Sequence, residues 1–325
     1  MDLRQLRSLV TLVDCGFSVS QAAERLHLVQ PAVSQHLKQI EEELGVKLFQ
    51  RHGKRLLGLS ESGERVLAFA RDALAAVGNI TALGRDHTQE ESGVLRIAAT
   101  HTQARYVLPP VIRQFAAEYP AVALELHQGT PAQLIDMVVR DAVDLAVCTE
   151  GLGEHPALTA VPCYRWNRCL IAPTGHPVLM REPISLGVLC EYPIITYVFG
   201  FTGRGNLSNA FAAEGLSPRV VLGAADTDVI KTYVREGMGI GIIAAMAYQP
   251  RVDADLVRMD LGELFPWEVT KIAYRRDKYL RTFQRRFIAV FRATTAKLEP
   301  LGQAARHAQT GPAALPGAEG PDLGI

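Results

Sequence analysis

Gln30, Ser34, Gln35 and Lys38 set amides, a hydroxyl and an ammonium at i, i+4, i+5 and i+8. At that spacing, with Pro31 and Ala32 beside them, they fall on one side of a helix. Such side chains are what reading base edges in the major groove of DNA requires. The plain alternative is a solvated helix face. A second set, Lys47, Arg51, Lys54 and Arg55, lies where no acid occurs between Glu43 and Glu61. Cations so grouped neutralise phosphates and release counterions, unless they are only a charged surface.

The elements that must position these groups are legible around them. Leu3, Leu6, Leu9, Val10 and Val13 predict a helix over Leu3–Cys15, ended by Gly16. Ser18 or Ser20 caps a second helix, where Ala22-Ala23 permits a close crossing. A third helix opens at Gln30, with Pro31 in a first turn that needs no N–H there. Its Val33, Leu37, Ile40 and Leu44 point inward, opposite the polar set. Two short helices joined by a tight turn, the second with a polar outer face, form a helix-turn-helix. A β-hairpin wing follows, Lys47–Gln50 against Arg55–Leu59, its tip at His52-Gly53-Lys54. Glu61 to Leu83 is one long helix with a heptad-like seam at Val66, Ala70, Ala73, Val77 and Ile80. That seam predicts a dimer, which suits two-fold operators. Residues 84–93 read as a polar linker.

From Val94 the period changes. Strands at 94–99, 122–127, 144–147, 220–223 and 239–243 alternate with helices at 107–118, 131–141, 204–214 and 227–237. This is an α/β pattern with a mostly parallel sheet. Long links at 150–165 and 247–270 predict two subdomains joined by crossing strands. The expected organisation is a winged helix-turn-helix over 1–60, a linker helix and hinge over 61–92, and an α/β body over 93–298. Within that body, subdomain I takes about 93–162 plus 269–298 and subdomain II about 163–268. Residues 299–325, rich in Ala, Gly and Pro, read as a disordered tail.

Composition narrows the function classes. The 325 residues balance 34 basic against 34 acidic side chains, so DNA affinity must come from local patches. Five scattered cysteines without CxxC fit reduced thiols and argue against a zinc site. No run of 18 apolar residues exists, and Met-Asp-Leu-Arg-Gln-Leu-Arg is not followed by a signal-peptide block. A cytoplasmic protein with no membrane partner is expected. There is no GxSxG, HExxH or GxxxxGK[ST], so catalytic and metal residues are expected to be absent. A solute-binding protein would share the body but not the head.

The head resembles the LysR-type regulators. Phe17, Ala22-Ala23, Leu26, Gln30-Pro31-Ala32-Val33-Ser34, Leu37, Ile40-Glu41, Leu44-Gly45, Leu48-Phe49, Arg51 and Leu59-Ser60-Glu61-Ser62-Gly63 follow that pattern. Val29 departs from it, standing where the family usually has Ser or Thr. Losing that cap costs roughly 0.5–2 kcal/mol. The body resembles the CysB-like subgroup, regulators of sulfur assimilation, through Thr100–Pro110, Pro162–Arg168, Tyr197–Arg204 and Asp226–Arg235. The resemblance covers about 1–295.

It implies two Rossmann-like subdomains of periplasmic-binding-protein type with an effector cleft between them. It also implies a homotetramer, a dimer of dimers, acting on promoter DNA, with RNA polymerase as a further partner. The implied effectors are N-acetylserine or O-acetylserine, opposed by sulfate or thiosulfate, and no cofactor. The family's ligand positions fall on Thr100, Thr102, Gln103, Thr149 and Thr202. The residues fit this independently. Thr100–Gln103 and Thr149 follow strands, where α/β folds bind ligands, and a helix start offers free N–H groups to an anion. A lone threonine there is more simply a cap. Arg105, Arg204, Lys231 and Arg235, and the aromatics Tyr164, Trp166, Tyr197, Phe199 and Phe201, are further candidates for the cleft. Lys231 and Arg235 read equally as a solvated or subunit-facing pair.

Overall fold

The computed structural model describes residues 1–53, 55–88, 92–198, 204–296 and 298. Lys54, Phe199, Phe201, Thr202, the side chains of Arg55 and Arg204, and the tail therefore lie outside the described residues. Contacts divide the chain into two units. One is Met1–Thr88 with Asp277–Arg281, and the other comprises the remainder.

In the first unit α1 (Leu3–Asp14), α2 (Val19–Arg25) and α3 (Gln30–Leu44) precede a hairpin of β1 (Phe49–His52) and β2 (Arg55–Leu59). Asp2 caps α1 through a reciprocal pair with Gln5, and Ser18 caps α2. The core is Leu6, Leu9, Leu12, Ala22, Ala23, Val33, Leu37, Ile40 and Leu48. One expected core position differs. Leu44 is exposed, and Glu41 is buried in the α3 row instead. Its carboxylate is satisfied there, accepting from the Leu48 N–H at 2.9 Å and Arg51 Nη2 at 3.1 Å. Gly63 closes the head: a Cβ there would meet the Leu48 carbonyl oxygen at 2.0 Å.

The helix α4 runs Glu61–Thr88, five residues past its expected end. Buried Asp86 explains this, since it accepts from the Tyr279 hydroxyl at 2.9 Å and draws Arg281. By length and composition Glu61–Asp86 would span a bilayer. Its inner face instead packs Leu67 and Ala70 on the head core and pairs Arg71 with Asp14 at 2.8 Å.

The second unit holds two five-stranded sheets. The first, in lobe I, orders β4 (Val122–Gln128), β3 (Gly93–Ala99), β5 (Leu145–Cys148), β12 (Glu268–Arg275) and β6 (Leu158–Trp166). The second, in lobe II, orders β11 (Leu256–Asp260), β7 (Arg168–Pro173), β10 (Ile240–Ala244), β8 (Ile194–Tyr197) and β9 (Val220–Ala224). Both are mixed rather than mostly parallel. In each, three strands pair in parallel and two more join through successive antiparallel pairs, so that only β12 and β7 run against the rest. The added strands β6, β7, β11 and β12 flank the two chain crossings, and β6 and β11 fall in stretches read as links.

Helices α5 (Leu108–Glu118), α6 (Pro131–Val139) and α10 (Thr282–Thr295) cover lobe I. Phe115 of α5 meets Phe287 of α10 edge-on at 5.2 Å. Helices α7 (Leu186–Cys190), α8 (Arg204–Ala213) and α9 (Thr227–Arg235) cover lobe II. Asn167 ties the crossings together, donating to the carbonyls of Gly262 and Phe265 and accepting from the Arg168 N–H.

Candidate DNA-reading head and effector cleft

On α3, Gln30, Pro31, Ser34, Gln35 and Lys38 are all exposed on one side. The helix starts without a side-chain cap at Val29, which is 69% exposed, and ends on left-handed Gly45. Four expected phosphate contacts fare differently. Arg51 and Lys47 both converge on buried Glu41, at 3.1 and 3.6 Å, so part of their charge is spent within the head. The Arg55 backbone stands in register with His52 across the hairpin, while the Arg55 side chain and Lys54 lie outside the described residues. The sequence window held no acid, but α3 brings one to it.

In the body, β3 delivers Thr100 into the start of a helix. His101 and Thr102 are helical, and Gln103–Val107 form a π-turn before α5. The expected start at residue 107 is therefore about six residues late. The π-turn has a cause in the sequence. Pro109 and Pro110 cannot donate to the carbonyls four residues earlier, and Leu108 instead donates to Gln103 O, an i→i+5 bond.

Thr100, Thr102 and Gln103 are 5%, 2% and 2% exposed. Thr102 Oγ1 is buried and lacks a well-formed hydrogen bond among the described residues, with the Tyr197 hydroxyl near it. Gln103 is held at both ends: its Oε1 accepts from the Tyr164 hydroxyl at 2.7 Å, and its Nε2 donates to Thr270 Oγ1 at 3.2 Å. Thr149, after β5, lies 3.4 Å from Thr270 Oγ1 and accepts from Trp166 Nε1 at 3.3 Å. Gln103 and Thr149 thus join one polar chain through Thr270, Thr100 and Thr102 are buried on the backbone just before Gln103, and Thr202 lies outside the described residues. Thr270 was missed because the strand carrying it was read as link. The run from Glu268 to Arg275 is short and only loosely alternating.

Among the cleft aromatics, Tyr164 and Tyr197 are core residues that also hydrogen-bond. Burial pushes the Tyr164 hydroxyl far up, so it stays a neutral donor. Lys231 is not a solvated partner of Arg235. It is 2% exposed and donates to Asp253 Oδ2 and the Ala247 carbonyl, both at 2.6 Å. Burial raises the Asp253 carboxyl, but Lys231, the Gln249 N–H and Arg235 together hold it below the ordinary value. Burial pushes the Cys163 and Cys169 thiols up to about 12, so neither is a nucleophile at neutral pH.

The arrangement offers neutral hydroxyl and amide donors in a dry cradle at the carboxyl ends of parallel strands. The first N–H groups of the helix opening at His101 have no intrahelical acceptor. Neutral donors so placed can hold a small anion or polar acid reversibly.

Comparison with known proteins agrees. Residues 3–64 match the bacterial regulatory helix-turn-helix protein, lysR family, and residues 88–296 match the LysR substrate binding domain. The chain is 42% identical to the transcriptional regulator CysB of Burkholderia cenocepacia over 87% of this chain and 90% of that one. It is 43% identical to the regulator SsuR of the same organism over 90% and 94%. The solved cofactor-binding domain of the Cbl transcriptional regulator superposes with a TM-score of 0.62 at 38% identity, covering 68% of this chain and 95% of that one. The chain belongs to the LysR family of DNA-binding transcription regulators.

Proposed function

We propose that this regulator controls sulfur-assimilation and cysteine-biosynthesis genes in the cytoplasm, gated by an acetylserine and opposed by sulfate or thiosulfate in the cleft. It acts as a dimer of dimers on promoter DNA and meets RNA polymerase there. Gln30, Pro31, Ser34, Gln35 and Lys38 face the bases, and Arg51, Lys54 and Arg55 the phosphates. Thr100, Thr102, Gln103, Thr149 and Thr202 hold the effector.

The observation that carries the reading is the buried Thr102 Oγ1 beside the start of a helix, which lacks a well-formed hydrogen bond although the Tyr197 hydroxyl lies near it. An under-satisfied buried hydroxyl costs up to about 1–3 kcal/mol, and an anion accepting from it reduces that cost. The carboxylate of an acetylserine and the oxygens of sulfate present the same acceptor chemistry. Calorimetry on the full chain with N-acetylserine, O-acetylserine, sulfate, thiosulfate, an alkanesulfonate and benzoate tests it. Sulfate and one acetylserine bind competitively, and Thr102→Ala weakens both by roughly 1.5–3 kcal/mol. Preferential binding of the alkanesulfonate or benzoate, or wild-type affinity in the variant, refutes the assignment.

A further inference from the structure

Asp228 stands in the first turn of α9 in lobe II, yet its partners come from lobe I. The Tyr106 hydroxyl donates to its Oδ1 at 2.6 Å. His101 Nε2 lies 3.3 Å and Arg105 Nε 3.5 Å from its Oδ2. One turn further along α9, Lys231 sits 4.9 Å from the centre of the Tyr106 ring and 3.4 Å from its oxygen. Asp253 fixes that lysine in place. His101, Arg105 and Tyr106 belong to the same helical segment as Thr100, Thr102 and Gln103. One stretch of backbone therefore carries two sets of groups, one for the cradle and one gripped by the opposite lobe.

We propose that Asp228 is a positioning residue of the effector site: by gripping His101, Arg105 and Tyr106 it holds the Thr100–Gln103 segment against lobe II. The inference rests on the reading of the cradle as the effector site. A ligand shifts a two-lobed body only through its different affinity for the two arrangements. The Asp228 grip stabilises the closed one in advance, so less of the binding energy is spent on closure. The rival role for Asp228 is local, a first-turn acid complementing the dipole of α9. Capping is not that role, because Asp226 already accepts from the Val229 N–H at 2.8 Å. Tyr106→Phe separates the two roles, since it removes one hydroxyl in lobe I, and with it only a long Lys231 contact, while the first turn of α9 keeps its acid.

The experiment uses full-length wild type, Tyr106→Phe, Asp228→Asn and the double variant, with circular dichroism showing each folded. Hydrogen exchange without ligand is followed over 101–107 and 227–235. Both single variants raise exchange over 101–107 severalfold, and the double variant does not exceed Asp228→Asn. Calorimetry with sulfate as the probe then gives roughly tenfold weaker binding in each single variant, within the range of coupled sites, again without addition in the double. Unchanged exchange over 101–107 in Tyr106→Phe, or effects that add, overturns the grip. Sulfate failing to bind the wild type overturns the anion reading of the cradle instead, and the ligand-free exchange still decides the role of Asp228.

Discussion

At the scale of single residues, the head departs from its family at Val29, and the structure gives that departure a physical meaning. Helix α3 begins with no side-chain acceptor for its first N–H groups, and an apolar side chain is left 69% exposed there. Val29 has extended backbone, the conformation a capping Ser or Thr adopts. Val29→Thr therefore stabilises the head by roughly 0.5–2 kcal/mol, read as a raised urea midpoint with unchanged slope. An unchanged or lowered midpoint means that packing or solvent already satisfies the helix start. The Glu41 carboxylate shows the opposite case, a buried charge with partners. Leu48, Arg51 and Lys47 converge on it, and no reading of charge along the chain places an α3 acid under the hairpin cations.

At the scale of elements, the long helix is the place for the proposed dimer. Its inner row, Leu67 and Ala70, is used by the head. Its exposed apolar positions overlap the expected seam only in part: Phe69 and Ile80 are 70% and 71% exposed, with Ala76 and Leu83 exposed beside them, whereas Ala70 is buried and Val66 and Ala73 pack partly on the head core. The exposed four keep the spacing of a two-helix seam. Ile80→Asp in the full chain buries a charge in that seam and dissociates the dimer, seen as a halved or lower mass by light scattering at micromolar concentration. An unaltered mass places the interface elsewhere.

The partial overlap illustrates what was legible. Helical period identified α4, but a helix with two apolar rows does not declare which row meets its own domain. Most strands of the parallel cores were legible as apolar runs, as with β3 and β10, but β8 between β10 and β9 was not. Strands β6 and β12 were not, because their partners lie about a hundred residues away and pairing, not pattern, makes them strands. The cradle followed the same rule. Thr100 to Gln103 were found from their place after β3. Thr270 and Asp228 act through contacts 121 to 167 residues distant in sequence and left no local signal.

At the scale of the whole molecule, two units with separate cores divide the labour. The polar face of α3 lies wholly in one and the cradle wholly in the other, so specificity for DNA and affinity for effector are separable by substitution. Gln30→Ala with Ser34→Ala removes base-edge contacts worth roughly 1–3 kcal/mol each and leaves every residue of the body in place. Gel shifts against promoter and scrambled duplexes at fixed salt show the preference for promoter DNA lost, while the salt dependence of the remaining binding, set by phosphate contacts, stays as in wild type. Sulfate affinity measured on the same preparation is unchanged without DNA, because the cradle shares no side chain with α3. Retained discrimination between the duplexes moves the reading face off α3. A lost sulfate affinity means that the variant has disturbed more than the face it was designed to remove.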